Sequence, residues 1–107
     1  MPAAAVDDPI LKRFRAELDR LYGDRIERVV LYGSRARGDA REDSDYDVAV
    51  FLHGLDDHWA ETRRIVEVET SILYDTGAVI NTHAFAAGAY ARRTGFMHEI
   101  RLDGVDL

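Results

Sequence analysis

The chain has 107 residues, 47% apolar and 32% charged, with a formal net charge of −6 and no cysteine. That size carries one domain with a single modest core, and the lack of cysteine excludes disulfides, zinc–thiolate sites and thiol chemistry. The acidic balance argues against a broad surface for long nucleic acids, which needs many Lys and Arg contacts, so a small triphosphate or a protein fits better as a partner.

No apolar run approaches membrane-spanning length. Met1–Val6 is too short for a leader peptide and runs at once into Asp7-Asp8, so a cytoplasmic location is the expectation. Asp8-Pro9 predicts a helix start, with Asp as N-cap and Pro in the first turn. Ile10, Leu11, Phe14, Leu18, Leu21 and Tyr22 then fall on one helical face, and Gly23 ends the helix. Arg28–Tyr32 reads as a strand, Ser34–Arg37 as a short helix, and Tyr46–His53 as a second strand that turns at Gly54. A helix over Asp57–Tyr74 follows, capped by Asp56 or Asp57, with Trp59, Ile65, Val66, Ile72 and Leu73 as its expected buried stripe and Glu69 on or near it. After Asp75–Gly77, Ala78–Phe85 reads as a third strand. A break at Ala86–Gly88 and a weak helix through Tyr90 lead to a last helix, Thr94–Leu102, with Phe96, Ile100 and Met97 facing inward. Gly104 closes that helix and leaves Val105–Leu107 as a tail. The order helix–strand–strand–helix–strand–helix predicts an α/β fold: one domain over 1–107, with a small mixed sheet flanked by helices mainly on one face.

The chemistry concentrates in residues 29–52. Side chains alternate across a strand, so Asp45 and Asp47 project to one face and Tyr46 to the other. Two neighbouring carboxylates call for a counter-charge. Hard oxygen ligands suit Mg²⁺, held by one or two carboxylates together with substrate phosphates. Gly33-Ser34 lies where a strand meets a helix start, a place where backbone N–H groups bind phosphate and glycine permits close approach. Arg35 and Arg37 stand beside this corner, suited to triphosphate charge or else to pairing with Asp39, Glu42 or Asp43. Ser44 is placed to cap the loop and orient Asp45.

Gly33-Ser34, ten residues, then Asp45-Tyr46-Asp47-Val48 resembles the signature of the DNA polymerase β-type nucleotidyltransferase superfamily. The string Gly-Ser-Arg-Ala-Arg-Gly with Ser-Asp-Tyr-Asp is most similar to the bacterial minimal nucleotidyltransferases, often the antitoxin half of HEPN–MNT toxin–antitoxin pairs. The resemblance implies the nucleotidyltransferase fold, with Asp45 and Asp47 as catalytic metal ligands for Mg²⁺. It also implies an NTP, foremost ATP, on Gly33, Ser34, Arg35, Arg37 and Ser44. The implied reaction is transfer of AMP to a hydroxyl, with a HEPN-like toxin as the protein acceptor.

The superfamily completes its metal site with a third acidic residue on the strand expected at Ala78–Phe85, yet that strand holds no Asp or Glu. By alternation Val79 or Asn81 takes the equivalent position. Glu69, His83 or a partner's carboxylate are candidate replacements, although imidazole suits softer metals than Mg²⁺. The alternative reading is a catalytically impaired module that neutralises its partner by contact. A homodimer through Tyr90, Phe96 and Met97 is a further possibility.

Overall fold

Asp8 opens the first helix: its Oδ1 accepts the Ile10 N–H at 2.8 Å, with Pro9 in the first turn. In this computed structural model, which describes residues 7–107, the expected elements form in the expected order. Residues 1–6, the stretch read as too short for a leader, lie outside the described residues. The elements are α1 (Pro9–Tyr22), β1 (Ile26–Tyr32), α2 (Ser34–Arg37), β2 (Tyr46–Leu52), α3 (His58–Thr76), β3 (Ile80–Ala86), α4 (Gly95–Asp103) and β4 (Val105–Asp106). Short 3₁₀ turns at Gly23–Arg25 and Ala89–Ala91 join them. Among the described residues no helix is long and apolar enough to cross a membrane.

The sheet is mixed and runs β3-β2-β1-β4. β1 pairs antiparallel with β2 and β4, whereas β2 and β3 are parallel and joined through α3. Tyr32 stands opposite Asp47, and Asp47 opposite Asn81, so one register line crosses three strands. Every β2 residue except Asp47 is buried.

Both faces of the sheet are covered. On one, Val29, Leu31, Val48, Val50, Leu52, Ile80 and Ala84 pack against Leu11, Phe14 and Leu18 of α1 and Ile65, Val68 and Ile72 of α3. On the other, Val30, Ala49 and Phe51 pack against Ala89 and against Met97 and Ile100 of α4. The two long helices thus share one face, and the short α4 closes part of the other. Together these buried side chains remove most apolar strand surface from water, the main favourable term in folding.

Three expectations need correction. The tail after Gly104 is a strand: Val105 and Asp106 pair with Leu31 and Val30, and Leu107 N–H donates to the Val29 carbonyl at 2.9 Å. The buried stripe of α3 is Glu61, Ile65, Val68 and Ile72. Trp59, Val66 and Leu73 are instead exposed, Trp59 to 70%. Glu61 can stay buried because Arg25 and Arg64 neutralise it, at 2.7 and 3.3 Å; a buried charge without a partner would be costly. Finally, Met97 rather than Phe96 is the buried residue of α4 beside Ile100.

Candidate functional site

The carboxylate pair sits at the start of β2 on the α4 side of the sheet, the face shared by Ala49 and Phe51. Alternation puts Asp45 and Asp47 there together, while Tyr46 turns to the opposite core and its hydroxyl donates to Asp8 Oδ2 at 2.7 Å. Asn81, across from Asp47 on β3, donates from its amide nitrogen to Asp45 Oδ2 at 2.9 Å. Of the two positions weighed for a third acid, Asn81 therefore is the one that reaches the pair.

Gly33 forms the wall opposite. Its φ of 76° belongs to the left-handed region that favours glycine. A Cβ added there would stand 2.5 Å from Asp47 Oδ2. The backbone of the Gly-Ser corner and the Asp47 carboxylate thus pack against one another, and any side chain at Gly33 would fill the gap. The Gly33 carbonyl accepts the Ala36 and Arg37 N–H groups at 3.1 and 3.0 Å, and the Ser34 carbonyl accepts the Gly38 N–H at 3.0 Å, which sets the single turn of α2.

The loop between α2 and β2 is pinned by Arg35. Its guanidinium donates to the Ser44 carbonyl at 2.8 and 3.0 Å and to the Glu42 carbonyl at 3.0 Å. It also lies over the Tyr46 ring, 4.0 Å from the centroid, a cation–π contact. Backbone carbonyls hold this arginine, not the side chains of Asp39, Glu42 or Asp43. Arg37 pairs with Asp39 at 3.2 Å and with Asp103 of α4 at 3.1 Å. The Ser44 hydroxyl accepts the Arg41 N–H at 2.8 Å, closing the loop just ahead of Asp45.

Burial pushes the Asp47 carboxyl above its ordinary range; the Asn81 amide opposes that shift, and the Asp45 charge adds to it. Tyr32 is held up by burial and by the Asp47 charge. Its hydroxyl shares a 3.2 Å hydrogen bond with His83 Nδ1. Phe96 packs edge-on to both rings, at centroid distances of 6.0 and 5.5 Å. An aromatic shelf of Tyr32, His83 and Phe96 therefore adjoins the carboxylates. Sequence reading did not foresee it; the signal available was that Tyr32, His83 and Phe85 alternate onto the face of the Asp pair. Phe96 and Tyr90 are engaged in this way with neighbouring rings, Tyr90 against Phe51 and Arg28, and Met97 is buried. Of the three residues expected at a contact surface, Met97 is therefore inside, while Phe96 stays 41% exposed.

Glu69 does not complete the site. It faces Thr82, whose neighbours Ile80 and Ala84 pack into the α1–α3 core on the opposite side of the sheet. Burial raises its carboxyl, eased by Thr82. Among the described residues no three His, Asp or Glu side chains converge closely enough to hold a metal ion by themselves.

The sequence from Leu18 to Val105 matches the family model described as "Polymerase beta, Nucleotidyltransferase". Two Methanocaldococcus jannaschii proteins, each named "putative protein adenylyltransferase", are similar. One is 34% identical over 68 residues, covering 62% of this chain and 68% of its own length; the other is 32% identical over 75 residues, covering 70% and 69%. Among solved structures the fold resembles a toxin–antitoxin crystallised with AMP-PNP (TM-score 0.58, 18% identity, 87% of this chain and 68% of that one). It also resembles a "putative nucleotidyltransferase" from Sulfolobus solfataricus (TM-score 0.56, 20% identity, 91% and 75%). A mutant of the toxin–antitoxin MntA-HpeT is a third such neighbour (TM-score 0.57, 15% identity, 86% and 68%). The sheet order, the Gly-Ser corner against the β2 carboxylates and the family match over most of the sequence lead to one conclusion: this chain belongs to the polymerase β-type nucleotidyltransferase family.

Proposed function

We propose that this domain transfers AMP from ATP to a hydroxyl group on a partner protein, with Mg²⁺ held by Asp45 and Asp47. The observation that carries this reading is the closeness of Gly33 to Asp47: a position that admits no Cβ, against a half-buried carboxylate whose neighbour is a second carboxylate. Such a corner suits a phosphate that must lie beside a cation.

The donor set fits the metal. Two carboxylates on one strand face are hard ligands, and Mg²⁺ is commonly bound by one or two carboxylates with substrate phosphates and waters supplying the rest. When bound, Mg²⁺ supplies charge neutralisation for the triphosphate and the leaving pyrophosphate.

The chain's own residues position and shield. Gly33 lets the phosphate-bearing turn lie close to the Asp47 carboxylate, and Ser34 opens that turn. Arg35 fixes the loop that delivers Asp45, while Arg37 ties that turn to α4. Tyr32, His83 and Phe96 offer an aromatic wall next to the carboxylates. In the transfer, the acceptor oxygen bonds to the α-phosphorus as the α–β bridging P–O bond breaks. Pyrophosphate leaves with that electron pair, and the hydroxyl proton passes to water. Catalysis of this kind is mostly positioning and electrostatics. The partner reading draws on the toxin–antitoxin neighbours, and the protein acceptor on the names of the archaeal relatives.

Asn81 favours a second reading. An amide where the superfamily resemblance implies an acid leaves the cleft one charge short, and its hydrogen bond to Asp45 occupies a ligand oxygen. On this reading the domain binds its partner and turns over slowly or not at all.

Incubation with α-labelled ATP, Mg²⁺ and the co-purified partner decides between them. Label appears on the partner with wild type and falls at least 100-fold with Asp45→Asn or Asp47→Asn. No transfer by wild type, with the variants indistinguishable from it, overturns the enzymatic reading.

A further inference from the structure

The outer face of α3 carries an apolar stripe that none of the described residues covers. Trp59, Val66 and Leu73 recur every seven residues and are 70%, 47% and 45% exposed; Tyr74 beside Leu73 is 85% exposed. The buried stripe of the same helix runs through Glu61, Ile65, Val68 and Ile72, so α3 is apolar on two sides. A spacing of seven keeps a seam along a helix facing one neighbouring helix at a shallow crossing angle. From Trp59 to Leu73 the seam extends about 21 Å at 1.5 Å per residue.

The charges beside this seam say what covers it. Arg63 and Glu67 are exposed and lie one turn apart on the same flank of Val66. Neither forms any of the ion pairs made among the described residues. A two-fold axis beside Val66, relating two antiparallel copies of α3, sets Val66 over Val66 and Trp59 over Leu73 and Tyr74 of the second copy. The same operation brings Arg63 alongside Glu67 of the second copy, and Glu67 alongside its Arg63. Thr62 and Thr70, also next to the seam, are uncharged, and Glu69 on the opposite flank turns to Thr82. The pattern is self-complementary in both shape and sign, as an isologous interface requires. We infer that α3 is a homodimerisation surface, with a second copy of this chain as its occupant. Because the seam lies on the face of α3 turned away from the sheet, and the Asp45–Asp47 cleft is across the sheet, pairing leaves both clefts open.

The test is sedimentation equilibrium of the chain from about 1 to about 200 µM, which spans micromolar dissociation constants. Wild type reaches twice its 12.1 kDa monomer mass. Val66→Asp, at an exposed position, raises the dissociation constant at least tenfold and leaves unchanged the melting temperature measured at concentrations where wild type is monomeric. Arg63→Glu also weakens pairing, and Arg63→Glu combined with Glu67→Arg restores it. A wild type that stays monomeric at every concentration overturns the inference and leaves the seam to a different protein. A dimer indifferent to Val66→Asp and to the charge reversal overturns it as well, since another face then holds the copies together.

Discussion

Asp47 is the residue on which the electrostatics of the cleft turn. Its carboxyl is held above the ordinary 3.8, foremost by burial. The folded protein therefore binds this proton more tightly than the unfolded chain does. Its contribution favours the folded state at acid pH and is lost as pH rises from about 3.8 through the raised value. Asp47→Asn, which cannot ionise, should melt higher than wild type at pH 7 in the absence of divalent metal. The difference should shrink towards pH 3.5, as thermal melts in EDTA across that range would show. An equal or lower melting temperature at pH 7 would mean that the ionised carboxylate is well satisfied without a cation. That Asp45 and Asp47 share a face was legible from strand alternation alone. The partner chosen by Arg35 was not: sequence shows which charges are near in the chain, but Arg35 binds carbonyls, and carbonyl positions depend on the path of a loop.

At the scale of elements, α3 shows where pattern reading divides. Two apolar stripes run along it, and the expected one mixed them: Ile65 and Ile72 are buried as expected, whereas Trp59, Val66 and Leu73 belong to the outer stripe and Glu61 and Val68 complete the inner one. The inner stripe packs Ile65, Val68 and Ile72 into the core, and Glu61 is tolerated on it because Arg25, from the turn before β1, and Arg64 neutralise it. A contact with Arg25, distant in sequence, overrides a local preference and cannot be read from the helix itself. β4 was missed for a similar reason, since a two-residue strand exists only through its pairing to β1. Gly104 makes that pairing possible. A Cβ there would lie 2.6 Å from the Ile100 carbonyl oxygen and 2.8 Å from Val30 Cγ1. Gly104→Ala should therefore push the tail off β1 and destabilise by about 1–3 kcal/mol, the usual cost of overpacking. The melting temperature should fall, and the Leu107 amide should exchange faster with deuterium, while the β1–β2 amides stay protected.

For the whole molecule, sequence order and turn residues foretold the layered α/β arrangement, because helix caps and strand alternation are local signals. Which face each helix covers had to come from the structure. Ligand binding is read at this scale too, since a ligand that prefers the native state raises its stability as a whole. Mg–ATP at 100 times its dissociation constant should add about 2.7 kcal/mol, or roughly 10–20 °C for a domain near this size. Asp45→Asn should abolish the shift, and so should Gly33→Ala, which fills the gap beside Asp47 Oδ2. A wild type whose melting curve ignores excess Mg–ATP would remove nucleotide from the account. The amide of Asn81 adds a consequence of its own. With two carboxylates at the mouth of β2 rather than three, less like-charge repulsion must be offset for the polypeptide to mature without a cation, so on the proposed function the cargo would be a visitor to a finished scaffold instead of a condition for building it.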